Sequence, residues 1–337
     1  YEITTRLVGS EMCIRDRPEN IAGIGGAGIG GGGLGGSADI TITGDAVIKE
    51  AIGGNGAAGI GSGMGNPWTS EPLITVGNVT IEGNAKVDSA VGGANGAAGI
   101  GGGTLGIGNV TIRGNAQIGK ATGGDEGAGI GGGSSGLGNV SIEGNVTIKN
   151  AQGGVGAAGI GGGARGTSDA AGNGNKISIK STAAGSPNIT AKGGKASDDG
   201  LSGGAAIGSG SVVAGATEVK SDITIEGKVT INATGGGNVA IGDNIDGEKV
   251  FNGLAGGTNI KRTDSNGKDV TQDGDVVAEP EPEPRPEPEE PEKPAQPTVT
   301  PTGAETAEAP STGSVEVEHP VTVEGLYVTN VLGKQIT

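Results

Sequence analysis

Apolar and polar residues alternate in short bursts along this chain, and the bursts recur. Val79-Thr80-Ile81 returns as Val110-Thr111-Ile112 and Val140-Ser141-Ile142, with relatives at Ile40-Thr41-Ile42, Ile177-Ser178-Ile179 and Ile223-Thr224-Ile225. A period of two marks a strand with one buried face. After a Gly-Asn turn comes a second alternating burst: Ala85-Lys86-Val87, Ala116-Gln117-Ile118, Val146-Thr147-Ile148 and Val229-Thr230-Ile231. The third piece is a Gly-Ile-Gly segment centred on Ile60, Ile100, Ile130, Ile160, Ile207 and Ile241. There a single Ile points inward while the flanking glycines turn the backbone through conformations that a Cβ penalises.

The spacing between the best copies is constant: 130 − 100 and 160 − 130 both give 30 residues. Three short strands per interval predict an all-β chain folded as a parallel β-helix, a β-solenoid with about 30 residues per coil and a right-handed winding. Stacked coils place each strand about 4.8 Å above its copy, so about seven coils make a rod roughly 34 Å long. Equivalent side chains then form columns. Ile60, Ile100, Ile130 and Ile160 make one inner column; Ile81, Ile112 and Ile142 another; Asn78, Asn109 and Asn139 a third. Asn84, Asn115 and Asn145 form a structural ladder at turns, where each amide can bond the copy above and below.

Composition supports a thin core. With 76 glycines, 15 prolines and 1% aromatic residues, stability must come from ladder hydrogen bonds and many small interfaces rather than from a large apolar centre. Four segments follow. Residues 1–20 are set apart, because residues 7–17 resemble translated sequencing-adapter readthrough and share nothing with the repeats; this removes Cys13, the single cysteine, from any thiol argument. Residues 21–255 form the solenoid. Residues 256–313 read as a disordered acidic Pro-rich linker, with nine Glu against Arg285 and Lys293 between Ala278 and Pro310, a composition that favours an extended polyproline stalk. Residues 314–337 alternate again, as the start of a second, truncated β domain.

The Gly-Ala-Ala-Gly-Ile-Gly-Gly-Gly repeat followed by Gly-Asn-Val-Thr-Ile-Glu-Gly-Asn resembles the glycine-rich β-helical repeats of large surface proteins from Gram-positive gut bacteria, some of which carry carbohydrate-binding names. The resemblance covers about residues 21 to 245. It implies an extracellular or wall-associated fragment of a larger protein, and no functional residue is carried over from it. A wall-sorting motif is absent at residues 309–313, where the leading Leu is missing, so any anchor lies beyond the truncated end.

Candidate chemistry is sparse. The single histidine, His319, lies beyond the linker, so Ser/His/Asp catalysis and His/Cys metal sites are excluded from the repeats by inventory. Carboxylate chemistry remains, because parallel β-helices include polysaccharide lyases and hydrolases that act on acidic polymers; fold alone does not assign that activity. Glu82, Arg113 and Glu143 occupy one outward position in successive coils and read as an ion-pair ladder. Asp125-Glu126 and Asp198-Asp199 read as solvated turn acids. No cofactor is expected, and Ca²⁺ has one weak motif, Asp264, Asn266 and Asp269 around a glycine turn, which lacks the spacing and closing Glu of a calcium loop.

Trp68 is the candidate carbohydrate-binding residue. It sits in an insertion that stretches one interval to 40 residues, 100 − 60, and insertions in solenoids become loops on one face. Two readings stand: a protruding ring that stacks on a sugar, or a plug over the thin core. The column Thr41, Thr80, Thr111, Ser141, Ser178 and Thr224 raises ice binding, but one hydroxyl per coil makes too narrow a plane, and β propensity explains it. A net charge of −16 without a basic stripe argues against nucleic acid, and no stretch is apolar for long enough to span a membrane. The expectation is a non-enzymatic secreted or cell-surface spacer or adhesin that meets polysaccharide or host glycan, with a β-helix polysaccharide lyase or hydrolase as the alternative.

Overall fold

The computed structural model describes residues 25–68, 72–166, 175–212, 219–243, 245–272 and 274–279, together with the backbone of residues 3–8 and 11–15. None of these is helical. Strands, numbered β1–β23 along the chain, stack into three sheets. The first contains β1 (Ile3–Val8), β4 (Ala38–Thr43), β7 (Thr75–Ile81), β10 (Gly106–Gly114), β13 (Gly138–Gly144), β16 (Asn175–Lys180) and β19 (Ser221–Glu226). The second contains β2 (Glu11–Arg15), β5 (Val47–Ile52), β8 (Lys86–Val91), β11 (Gln117–Thr122), β14 (Thr147–Gln152), β17 (Asn188–Lys192), β20 (Thr230–Thr234) and β23 (Asn259–Thr263). The third is built from two- and three-residue strands: β3 (Ile29–Gly30), β6 (Ile60–Gly61), β9 (Ile100–Gly101), β12 (Ile130–Gly131), β15 (Ile160–Gly161), β18 (Ile207–Gly208) and β21 (Ile241–Asp243), closed by β22 (Gly247–Glu248).

Every neighbouring pair is parallel except β21 and β22. Within each sheet the strands follow chain order, each coil resting on the one before. This is a parallel β-solenoid. Its register matches the sequence repeat: Val79, Val110, Val140 and Ile177 are successive partners, as are Ile60, Ile100, Ile130 and Ile160. All three sheets point their apolar residues into one column of core, where Ile81, Ile112, Ile118, Ile130 and Ile142 are fully buried. Seven spacings across the eight-stranded second sheet correspond to roughly 34 Å.

The third sheet explains the glycines. Gly131 has φ 130°, and a Cβ there would lie 2.0 Å from the Gly161 carbonyl oxygen of the next coil. The coils approach so closely at this corner that no side chain fits between them. Gly131→Ala is therefore expected to cost at least about 2 kcal/mol, from backbone strain plus forced separation of two rungs. Chemical denaturation of the variant measures this, and wild-type stability in the variant would contradict the close approach.

Two segments differ from the sequence expectation. Residues 256–279 were expected to open the linker; instead β23 adds an eighth rung to the second sheet, with Ile260 in register with Ile231. The polar run hides this strand because only Ile260 and Arg262 face inward, and Arg262 is fully buried among carboxylates. Residues 3–8 and 11–15, set apart from the repeats by their sequence, form β1 and β2, which pair in parallel with β4 and β5. Sheet pairing runs through the main chain, so an alternating segment such as Ile-Thr-Thr-Arg-Leu-Val can complete an open edge without sharing the repeat sequence.

All the described residues fall in one compact unit. The acidic linker from residue 280 onward, the expected β segment at 314–337 and His319 lie outside the described residues.

Candidate functional site

The outer face of the first sheet carries three columns of side chains, because alternate residues of each strand point away from the core. The first is Asn109, Asn139, Lys176 and Asp222; the second Thr111, Ser141, Ser178 and Thr224; the third Arg113, Glu143, Lys180 and Glu226. The middle column is short and its neighbours are long. A trough of about 430 Å³ results, lined by the first two columns and by Val110, Val140 and Ile177 beneath them.

The first and third columns are each held by a ladder. Asn78 Nδ2 donates to Asp39 Oδ1 at 2.6 Å, Asn109 Nδ2 to Asn78 Oδ1 at 2.7 Å, and Asn139 Nδ2 to Asn109 Oδ1 at 2.8 Å. Such a chain of aligned amides ending on a carboxylate is mutually polarised. Lys176 and then Asp222 follow in register above Asn139. In the third column, outside the trough lining, the charges alternate over five rungs, Glu82, Arg113, Glu143, Lys180 and Glu226. Arg113 meets Glu82 at 2.5 Å and Lys180 meets Glu226 at 2.8 Å. The hydrogen bond from Glu226, reinforced by the charges of Glu226 and Glu143, holds the Lys180 ammonium pKa above its ordinary value. These pairs are exposed, so they order the third column more than they stabilise the fold.

The floor is chemically open. Thr111, Ser178 and Thr224 make no side-chain hydrogen bond to another described residue, and Ser141 Oγ makes only a long contact of 3.4 Å to Glu143. Each hydroxyl can donate one hydrogen bond and accept others. Four such groups, one per coil, offer a row of donors and acceptors to anything lying across the strands.

No family model, curated protein or solved structure matches this chain. Function must therefore be argued from the side chains.

The remaining sequence candidates lie elsewhere. The Asn84, Asn115 and Asn145 ladder lies in the turns between the first and second sheets: Asn84 Nδ2 reaches Asp45 Oδ1 at 2.9 Å, Asn115 reaches Asn84 at 3.1 Å, and Asn145 reaches Asn115 at 3.2 Å. Trp68 is 67% exposed, with its backbone N–H donating to Asn66 Oδ1 at 3.0 Å. Asn66 and Leu73 pair across the base of its loop, of which residues 69–71 lie outside the described set. The indole does not plug the core, and it does not line the trough.

Asp264 Oδ1 accepts the N–H groups of Asn266 and Lys268 at 2.8 and 2.9 Å, and Asp269 Oδ1 accepts the Thr271 N–H at 2.9 Å. Hydrogen bonds from Thr271, then the charge of Lys261, hold the Asp269 carboxyl below the usual range. One oxygen of each carboxylate is thus engaged by the turn itself. Among the described residues no three of His, Cys, Asp and Glu gather where they could hold a metal ion.

Two features were not read from the sequence. Arg165 bridges two turn acids, Nε to Glu126 Oε1 at 2.8 Å and a terminal nitrogen to Asp199 Oδ2 at 2.9 Å, so Glu126 and Asp199 are clamps rather than merely solvated. Arg262 is fully buried at the last rung, bonded to Glu248 Oε2 at 2.8 Å, the Lys249 carbonyl at 2.7 Å and Asp275 Oδ1 at 2.7 Å, with the Phe251 ring centroid 5.4 Å from its guanidinium carbon. The available signal was its register. Arg262 continues the column Ala151, Ala191 and Ala233, where small residues are required only while another rung sits above.

Proposed function

We propose that this chain is a non-enzymatic polysaccharide-binding rod from a secreted or cell-surface bacterial protein, and that the trough on the first sheet is the track for an extended, largely neutral polymer. The observation that carries the reading is the row of uncommitted hydroxyls, Thr111, Ser178 and Thr224, beside the ordered asparagine column of Asn109 and Asn139. A polymer of sugar rings presents hydroxyls at a regular repeat, and the stack answers with donors and acceptors at a regular repeat. Each contact is weak, but contacts made along one chain add without further loss of translational freedom. Of the residues lining the trough, only Lys176 and Asp222 are charged, which favours a neutral ligand there. The surface location rests on the resemblance of the repeats to those of bacterial surface proteins.

The test is affinity electrophoresis of the full chain against neutral and acidic polysaccharides, with release of soluble sugar followed in the same samples. Thr111→Val, Ser178→Ala and Thr224→Val combined are expected to weaken binding of a neutral polymer about tenfold or more, at roughly one hydrogen bond per site, with no sugar released. Unchanged binding by the triple variant would remove the trough from the account. Sugar release by the wild-type chain would instead establish an enzyme. Trp68→Ala is expected to leave trough binding within about twofold, because the indole stands outside the trough and contributes no desolvated contact to it; tenfold loss would move the site to the loop.

A further inference from the structure

The outer face of the second sheet distributes charge differently from the rest of the molecule. In its first two fully described strands, β5 and β8, lysines and acids mix: Lys49 and Lys86 both reach Asp88, at 3.5 and 2.8 Å. From β11 through β14, β17, β20 and β23 the strands contain no Asp or Glu, yet Lys120, Lys149, Lys192 and Lys261 all lie on the outer face. None of the four forms an ion pair with a described residue, whereas Arg113, Arg165, Lys180, Lys220 and Lys228 all do. In a chain of net charge −16, folding has gathered a basic stripe that spans four rung spacings, about 19 Å. The sequence alone hid it, because the four lysines occupy different columns.

Between the lysines the face is polar and uncharged. Asn232, Thr234 and Thr263 surround one depression beside Lys261, and Thr234 and Ser265 line a second, of about 300 Å³, which Lys192 and Lys195 also enter. Asp264 lines that second depression, but its Oδ1 is held by two backbone N–H groups. Asp269 also lies near Lys261. We infer that this face is a second binding track, for an acidic polysaccharide, with the lysines meeting its carboxylates and the Asn and Thr side chains its hydroxyls. Nucleic acid fits less well: the stripe has no arginine and no aromatic ring on which bases could stack. The inference does not depend on the trough, which lies on another sheet.

The experiment is calorimetric titration of the full chain with oligogalacturonate, with neutral galactan oligomer and single-stranded DNA as comparison ligands, at low and physiological salt. Oligogalacturonate is expected to bind and to weaken as salt rises, and the quadruple variant Lys120→Gln, Lys149→Gln, Lys192→Gln, Lys261→Gln is expected to bind about tenfold or more weakly. All four side chains are on the surface, so the variant keeps the fold. A control, Lys220→Gln with Lys249→Gln, removes two lysines that line neither track and should change binding less than about twofold if location rather than total charge decides. Absence of oligogalacturonate binding at low salt, equal affinity for the quadruple variant and wild type, equal losses in variant and control, or DNA binding as tight as oligogalacturonate would each overturn the inference.

Discussion

Ile130→Asp is expected to destabilise the rod by more than about 4 kcal/mol, combining lost apolar burial with a charge placed where no partner exists. Ile130 is fully buried and lies in register between Ile100 and Ile160. Its coil also supplies β11 and β13, so the damage reaches the first and second sheets through shared core contacts. In a one-dimensional stack each coil is stabilised by its two neighbours, and a break near the middle leaves two shorter stacks, each with a raw end. Hydrogen exchange followed by peptide mass spectrometry should show protection lost across β9 to β15, and not at Ile130 alone. Protection confined to wild-type levels on either side of the substitution would contradict the stacked-column account.

Arg262→Ala is expected to cost about 3–5 kcal/mol, because it leaves Glu248 and Asp275 facing a buried space without their cation. The carboxylates are already engaged on their other sides: Glu248 Oε2 accepts the Ile241 N–H at 3.1 Å, and Asp275 Oδ2 accepts the Gln272 N–H at 2.8 Å. They cannot turn away without uncapping the strands they hold. Replacing all three residues with apolar side chains of similar size should return most of the loss, since a buried ion network is costly mainly when it is broken by halves. Thermal unfolding of the single and triple variants separates the two effects. A single variant as stable as wild type would mean that Arg262 merely fills the end of the core.

The two predictions probe features of different legibility. The isoleucine columns and both asparagine ladders could be read directly, because each recurs at the interval that sets the stack, and a repeated residue has a repeated environment. The ladders' first rungs were not read: Asp39 and Asp45 replace Asn at the lower end, where a carboxylate accepts the amide above it. Arg262 escaped for the opposite reason. It occurs once, at a position occupied by Ala in lower rungs, and its burial depends on where the stack stops. The lysine stripe depends on strand facing and on insertions that move the columns out of step, and the trough depends on side-chain length in two adjacent columns. The Thr and Ser column itself was visible, but a column of hydroxyls becomes a groove only when its neighbours stand taller.

The most direct measurement follows backbone amide chemical shifts of the full chain while a neutral oligosaccharide is titrated in. The account predicts perturbations at Thr111, Ser141, Ser178 and Thr224, one per coil on the outer face of the first sheet, with the interior isoleucines and the Trp68 loop little changed. Shifts centred on the Trp68 loop, or none on the first sheet at saturating polymer, would contradict it.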